Sequence, residues 1–155
     1  MKKTIKTTII ASLLVSGVYA NAKPLSYYMG VGSSQNNSID DSSFNIGFNG
    51  SLVKNDSLNL ELEVGLSMSD KDNNFLDLLP EISYDTSYGS FSALAGVTVG
   101  YVNNSDVIGS TVGAKYTTPF KNHNMQLSYK KSSLETGVVK LDDIDRYSIN
   151  YIYKY

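Results

Sequence analysis

Apolar and polar residues alternate along most of this chain, and that strict period of two limits the fold more than any other feature. Phe44, Ile46, Phe48 and Leu52 alternate with Asn45, Gly47, Asn49 and Ser51. Leu58, Leu60, Leu62, Val64, Leu66 and Met68 alternate with Asn59, Glu61, Glu63, Gly65 and Ser67. Phe91, Ala93, Ala95, Val97, Val99 and Tyr101 stand against Ser92, Gly96, Thr98 and Gly100. The closing run sets Tyr147, Ile149, Tyr151, Tyr153 and Tyr155 against Ser148, Asn150 and Lys154. Successive side chains of a strand point to opposite faces, so each run is a strand with one wet and one greasy side. Shorter runs at Leu25–Ser33, Leu76–Asp85, Val107–Thr118 and Met125–Lys130 bring the number of strands to eight. No segment carries a 3.6-residue period.

The spacers Ser34–Asp41, Lys54–Ser57, Ser69–Phe75, Thr86–Ser90, Asn103–Asp106, Pro119–Asn124 and Lys131–Asp145 are rich in Asn, Asp, Ser and Gly. These residues tolerate positive φ or bond their own backbone, so the spacers are turns and loops. Eight strands of about ten residues place roughly 60% of the chain in sheet, far above the 20–25% of ordinary soluble domains. That content points to a barrel.

The distribution of charge selects the kind of barrel. The apolar column of these strands holds no Asp, Glu, Lys or Arg. Glu61, Glu63, Glu81, Asp85, Lys115, Lys130 and Lys154 all fall on the other column, together with Gly30, Gly32, Gly47, Gly65, Gly96, Gly100, Gly109 and Gly113. A soluble sandwich turns its charges outward, where small glycines have no packing role. A narrow membrane barrel turns them inward, where glycine makes room for them and hydrocarbon is avoided. Composition agrees. With 41% apolar residues and a mean hydropathy of −0.18, the chain is too polar for a helical membrane bundle. The absence of cysteine excludes a disulfide framework, a thiolate metal site and a cysteine nucleophile. A net charge of −2 argues against a nucleic-acid partner.

The first 22 residues form an address. Lys2, Lys3 and Lys6 precede the apolar stretch Thr7–Val18, and Ala20-Asn21-Ala22 supplies the small-x-small pattern of a signal-peptidase site. About a dozen apolar residues fall short of the roughly 20 that span a bilayer as a helix. The reading is a cleaved secretory signal, residues 1–22, followed by one domain, residues 23–155. Removing it leaves 10 basic against 15 acidic groups.

The signal, the eight amphipathic strands and the final strand ending in an aromatic residue resemble the small outer-membrane barrels of Gram-negative bacteria. Outer membrane protein A's transmembrane domain, outer membrane protein X and the opacity-type proteins are of this kind. The resemblance implies an eight-stranded antiparallel up-and-down barrel with both termini periplasmic, monomeric, set among outer-membrane lipid and lipopolysaccharide. It places Ser34–Asp41, Ser69–Phe75, Asn103–Asp106 and Lys131–Asp145 outside the cell. It further implies that Tyr147, Tyr151, Tyr153 and above all Tyr155 are read by the outer-membrane assembly machinery, although Phe is commoner at that last position; with no Trp in the chain, these tyrosines are also expected to form much of the periplasmic girdle. No periplasmic domain is expected.

Candidate chemistry is sparse. His123, the one imidazole, sits in a turn at the periplasmic end, away from the outer leaflet where enzymes of this fold place a catalytic His. Asp70, Asp72, Asn73 and Asn74 lack the following Gly and the distal Glu of a calcium loop, so they read as an Asx-rich turn. No cofactor, metal site or catalytic residue is expected. Asp40, Asp41, Asp70, Asp72, Asp106, Glu135, Asp142, Asp143 and Asp145 outnumber Lys71, Lys131, Lys140 and Arg146 in the loops, which reads as an acidic solvated rim. The lumen charges form the strongest constellation, with Glu63 and Lys115 as a pair across the barrel. The reading that follows is a non-enzymatic outer-membrane barrel with a structural or surface-interaction role. A narrow channel for small ions or solutes and an outer-leaflet lipid-modifying enzyme are the alternatives.

Overall fold

The computed structural model describes residues 25–37, 39–55, 57–71, 73–120, 124–137 and 139–154. Ala20, Ala22, Asp72, His123 and Tyr155 lie outside these residues, as does the side chain of Lys154. The strands are β1 (Leu25–Gln35), β2 (Asp40–Lys54), β3 (Leu58–Ser69), β4 (Asn74–Thr86), β5 (Gly89–Val102), β6 (Ser105–Thr117), β7 (Asn124–Glu135) and β8 (Ile144–Lys154). Each pairs antiparallel with its successor, and β8 returns to pair with β1 from Ser26↔Lys154 to Gln35↔Asp145. The sheet is a closed barrel without an edge, the form in which a sheet can stand in lipid with its backbone groups paired.

Burial is inverted relative to a soluble protein. Glu63, Asp77, Glu81, Lys115 and Arg146 are buried, whereas Met29, Val31, Ile82, Val97, Ile108, Val112 and Leu127 are exposed on the outer face. An exposed apolar belt around a charged interior is the signature of a barrel that faces hydrocarbon.

The strands run further at one end than the alternation indicated. Ser34, Gln35, Asp40 and Asp41 belong to β1 and β2, and β7 continues to Glu135, shrinking the last loop to residues 136–143. Alternation marks only the part of a strand that faces hydrocarbon, whereas backbone pairing continues beyond it. There the outward column carries Asp40, Asp106, Lys131, Glu135 and Asp145. At the other end a bulge between Ser51 and Val53 leaves both Leu52 and Val53 exposed. The tight β5–β6 turn puts Asn103 at φ 47° and Asn104 at φ 64°, the left-handed pair that a two-residue hairpin favours.

The long-stranded end is capped from within. Ile39, Phe75, Val102, Val107, Leu134 and Ile144 form a buried apolar cluster, and Leu141 packs on it. Polar bridges hold the loops over that cap. Asn37 Nδ2 donates to Asp142 Oδ2 at 3.0 Å, and Asn103 N donates to Asn73 Oδ1 at 3.1 Å. Asp41 accepts from Ser69 Oγ at 2.9 Å and from Asn73, and Lys71 Nζ stands 3.2 Å away. Asp41 is therefore buried structure and not part of a solvated rim.

Candidate functional site in the barrel lumen

Below the cap, six charged side chains from five strands form one alternating chain of ion pairs. It starts at Glu81 on β4, which contacts Lys115 of β6. Lys115 Nζ lies 2.8 Å from Glu63 Oε2 on β3, and Lys130 Nζ of β7 lies 2.6 Å from Glu63 Oε1. Lys130 reaches on to Asp77 Oδ2 at 2.7 Å, and Arg146 of β8 closes the chain at 2.8 Å from Asp77 Oδ1. Arg146 grips Asp77 with both guanidinium ends, Nη1 lying 3.1 Å from Oδ2. Three carboxylates face three cations, so the plug is neutral. Buried charge requires that balance.

Hydroxyls complete the layer. Tyr28 Oη donates to Glu63 Oε1 at 2.8 Å. Gly47 and Gly65 make this possible, because a Cβ at either position would collide with the Tyr28 ring or hydroxyl. Thr98 Oγ1 donates to Asp77 Oδ1 at 2.6 Å, and a hydroxyl chain runs on through Thr111 and Ser132. Arg146 stacks 4.8 Å from the Phe75 ring centroid, which joins plug to cap. A gap beside Tyr28, Asn45, Asp77 and Arg146 measures about 20 Å³, room for about one water.

Of the sequence candidates, Glu63, Glu81, Lys115 and Lys130 meet in the plug. Glu61 and Asp85 do not join it. They stand nearer the termini, on the wall of a separate polar cavity, where Asp85 Oδ2 accepts from Asn59 Nδ2 at 2.9 Å. Two members escaped the sequence reading. Asp77 sits in the same column as Glu81 and Asp85, so stepping back by twos along β4 reaches it. The loop boundaries place Arg146 on the outer rim, but stepping back by twos from Asn150 carries it into the lumen, because β8 begins at Ile144.

The aromatic residues split between both ends. Tyr147 lies toward the capped end, its ring 5.1 Å from that of Tyr129, whose hydroxyl donates to Asp145 at 2.7 Å. It is therefore not part of a girdle at the termini end. Tyr84, Phe91 and Tyr116 supply that girdle together with Tyr151 and Tyr153, Phe91 and Tyr116 packing at 5.0 Å. Outside the strands, hydrogen bonds from Ser133 and Lys131 hold the Asp143 carboxyl below its ordinary range.

A closed eight-strand antiparallel barrel, greasy outside and ion-paired within, is a transmembrane β-barrel. Solved structures share this fold. The chain superposes on a designed transmembrane β-barrel with a TM-score of 0.57 at 20% identity, over 84% of this chain and 94% of that one. It matches Ail, the attachment invasion locus protein of Yersinia pestis, with a TM-score of 0.60 at 14% identity, over 84% and 97%. It matches the outer membrane enzyme PagL with a TM-score of 0.54 at 13% identity, over 83% and 98%. No protein-family model and no curated protein sequence matches the chain. An attachment protein and an enzyme thus share one fold, so function must be argued from the lumen and the surface.

Proposed function

We propose that this chain is a non-conducting, non-enzymatic bacterial outer-membrane barrel with a structural or surface-interaction role. In this reading it is exported through the Sec route with residues 1–22 as its signal. The assembly machinery inserts it, with the capped end outside and both termini in the periplasm. One observation carries the proposal: the ion-pair chain from Glu81 to Arg146 crosses the lumen below the cap, and the Ile39–Phe75–Ile144 cluster covers it. An ion crossing this barrel would have to part several buried pairs at once. The braced loops above the cap offer a fixed surface on which a partner, lipopolysaccharide included, can dock without first ordering the chain. The test is conductance of the refolded protein in planar bilayers. Silence at moderate voltage is expected, and steady resolved single-channel steps would overturn the reading in favour of a narrow channel.

A further inference from the structure

Beneath the plug, on the side of the termini, lies a cavity of about 310 Å³. Its floor is Glu81, already held by Lys115, and its rim includes the exposed residues Asp85 and Lys54. The wall is rich in acceptors. Asn49 Oδ1, Asn59 Oδ1 and Ser83 Oγ are buried, line this space and have no hydrogen-bond partner among the described residues. The orientation of Asn59 is settled, because its Nδ2 must be the atom that donates to Asp85. Glu61 stands directly across from Glu81 in the β3–β4 register, and Asn59 across from Ser83. With Glu81 held by Lys115, the wall adds Glu61 and Asp85 against Lys54 at the rim, beside a patch of buried, unsatisfied oxygens on β2, β3 and β4, and a ligand matching that wall brings positive charge and N–H donors.

The spacing narrows the choice further. Asp85 and Glu81 are four residues apart on β4, roughly 13 Å along the strand. Among the described residues no three acidic or imidazole groups converge closely enough to hold a bare metal ion. A long cation with separated ammonium groups fits such a layout, and Ile152 on the wall gives its methylenes an apolar surface. We propose that this cavity binds a short aliphatic polyamine entering from the side of the termini. This goes beyond the non-conducting role, and its failure would leave the conductance result untouched.

Isothermal titration of spermidine into the refolded full-length barrel tests the site, with magnesium ion as the comparison probe. Saturable one-to-one binding is expected for spermidine. Asp85→Asn and Asn59→Leu should each weaken it about tenfold, the loss of one charge-assisted or buried hydrogen bond. Faster migration of the unheated variants on SDS gels shows that each still folds. No saturable binding, an affinity unchanged in both variants, or magnesium binding as tightly as spermidine would each overturn the proposal.

Discussion

At the residue scale, the plug turns a single carboxylate into a shared anchor. Glu63 accepts from Lys115, Lys130 and Tyr28 together, so Glu63→Gln leaves two buried ammonium groups under-compensated. A loss of about 3–5 kcal/mol is expected, read as a lower urea midpoint for the barrel in micelles. A double-mutant cycle with Lys115→Gln should show favourable coupling between the wild-type pair; zero coupling would mean that the pair adds nothing. A full charge swap will not rescue the fold, because the new carboxylate at 115 would face Glu81 and the new ammonium at 63 would face Lys130. The Tyr28 contact gives a second prediction at this scale. Gly65→Ala drives a methyl toward the Tyr28 hydroxyl, and such overpacking costs about 1–3 kcal/mol. In a Tyr28→Phe background the same change should cost measurably less, since the nearest atom is gone. An equal cost in both backgrounds would show that the strain lies elsewhere.

At the scale of the element, β4 carries both the best and the weakest part of the wall. It supplies Phe75 to the cap, Asp77 and Glu81 to the plug, and Asp85 to the cavity rim, all in one inward column. Its outward column includes Pro80, and the β4–β5 pairing lapses between Leu78↔Val97 and Glu81↔Leu94. Proline has no N–H to donate toward Ala95, so one rung of the ladder is missing within the lipid-facing zone. Pro80→Val should restore that rung and raise stability by about 1 kcal/mol. Slower amide exchange in β4 and β5 is the readout, and unchanged exchange would show that the rung is replaced in some other way. One strand spans cap, plug and cavity because it crosses the whole barrel.

At the scale of the whole molecule, closure determines behaviour. A barrel whose strands all have two neighbours resists SDS, so unheated protein should migrate faster than boiled protein, and a single unshifted band would contradict a closed sheet. The proposed orientation has its own test, made clean by the absence of cysteine. A cysteine introduced at Asn37 should react with a membrane-impermeant maleimide on intact cells, whereas one introduced at Ser87 should react only after the outer membrane is opened. The reverse pattern would turn the molecule over and place the cap in the periplasm.

Strand number, the lipid-facing column and the inward run of charge and glycine were legible in the sequence, because a period of two is a local property of each strand. Glu63 and Lys115 were legible as lumen residues for the same reason. What the tertiary structure decided was which inward charge meets which. That depends on strand tilt and on the stagger accumulated around the closed sheet, and no single strand encodes either. Asp77 and Arg146 show the difference. Each obeys the inward parity of its strand, but Arg146 counts as lumen only once pairing with β1 and β7 carries β8 up to Ile144. Asp41 falls in a loop by alternation alone, but pairing with Ser34 carries β2 past the apolar band to include it. Alternation records contact with hydrocarbon and stops where hydrocarbon stops. Backbone hydrogen bonding continues to the true strand ends, and there the cap and the upper half of the plug are built.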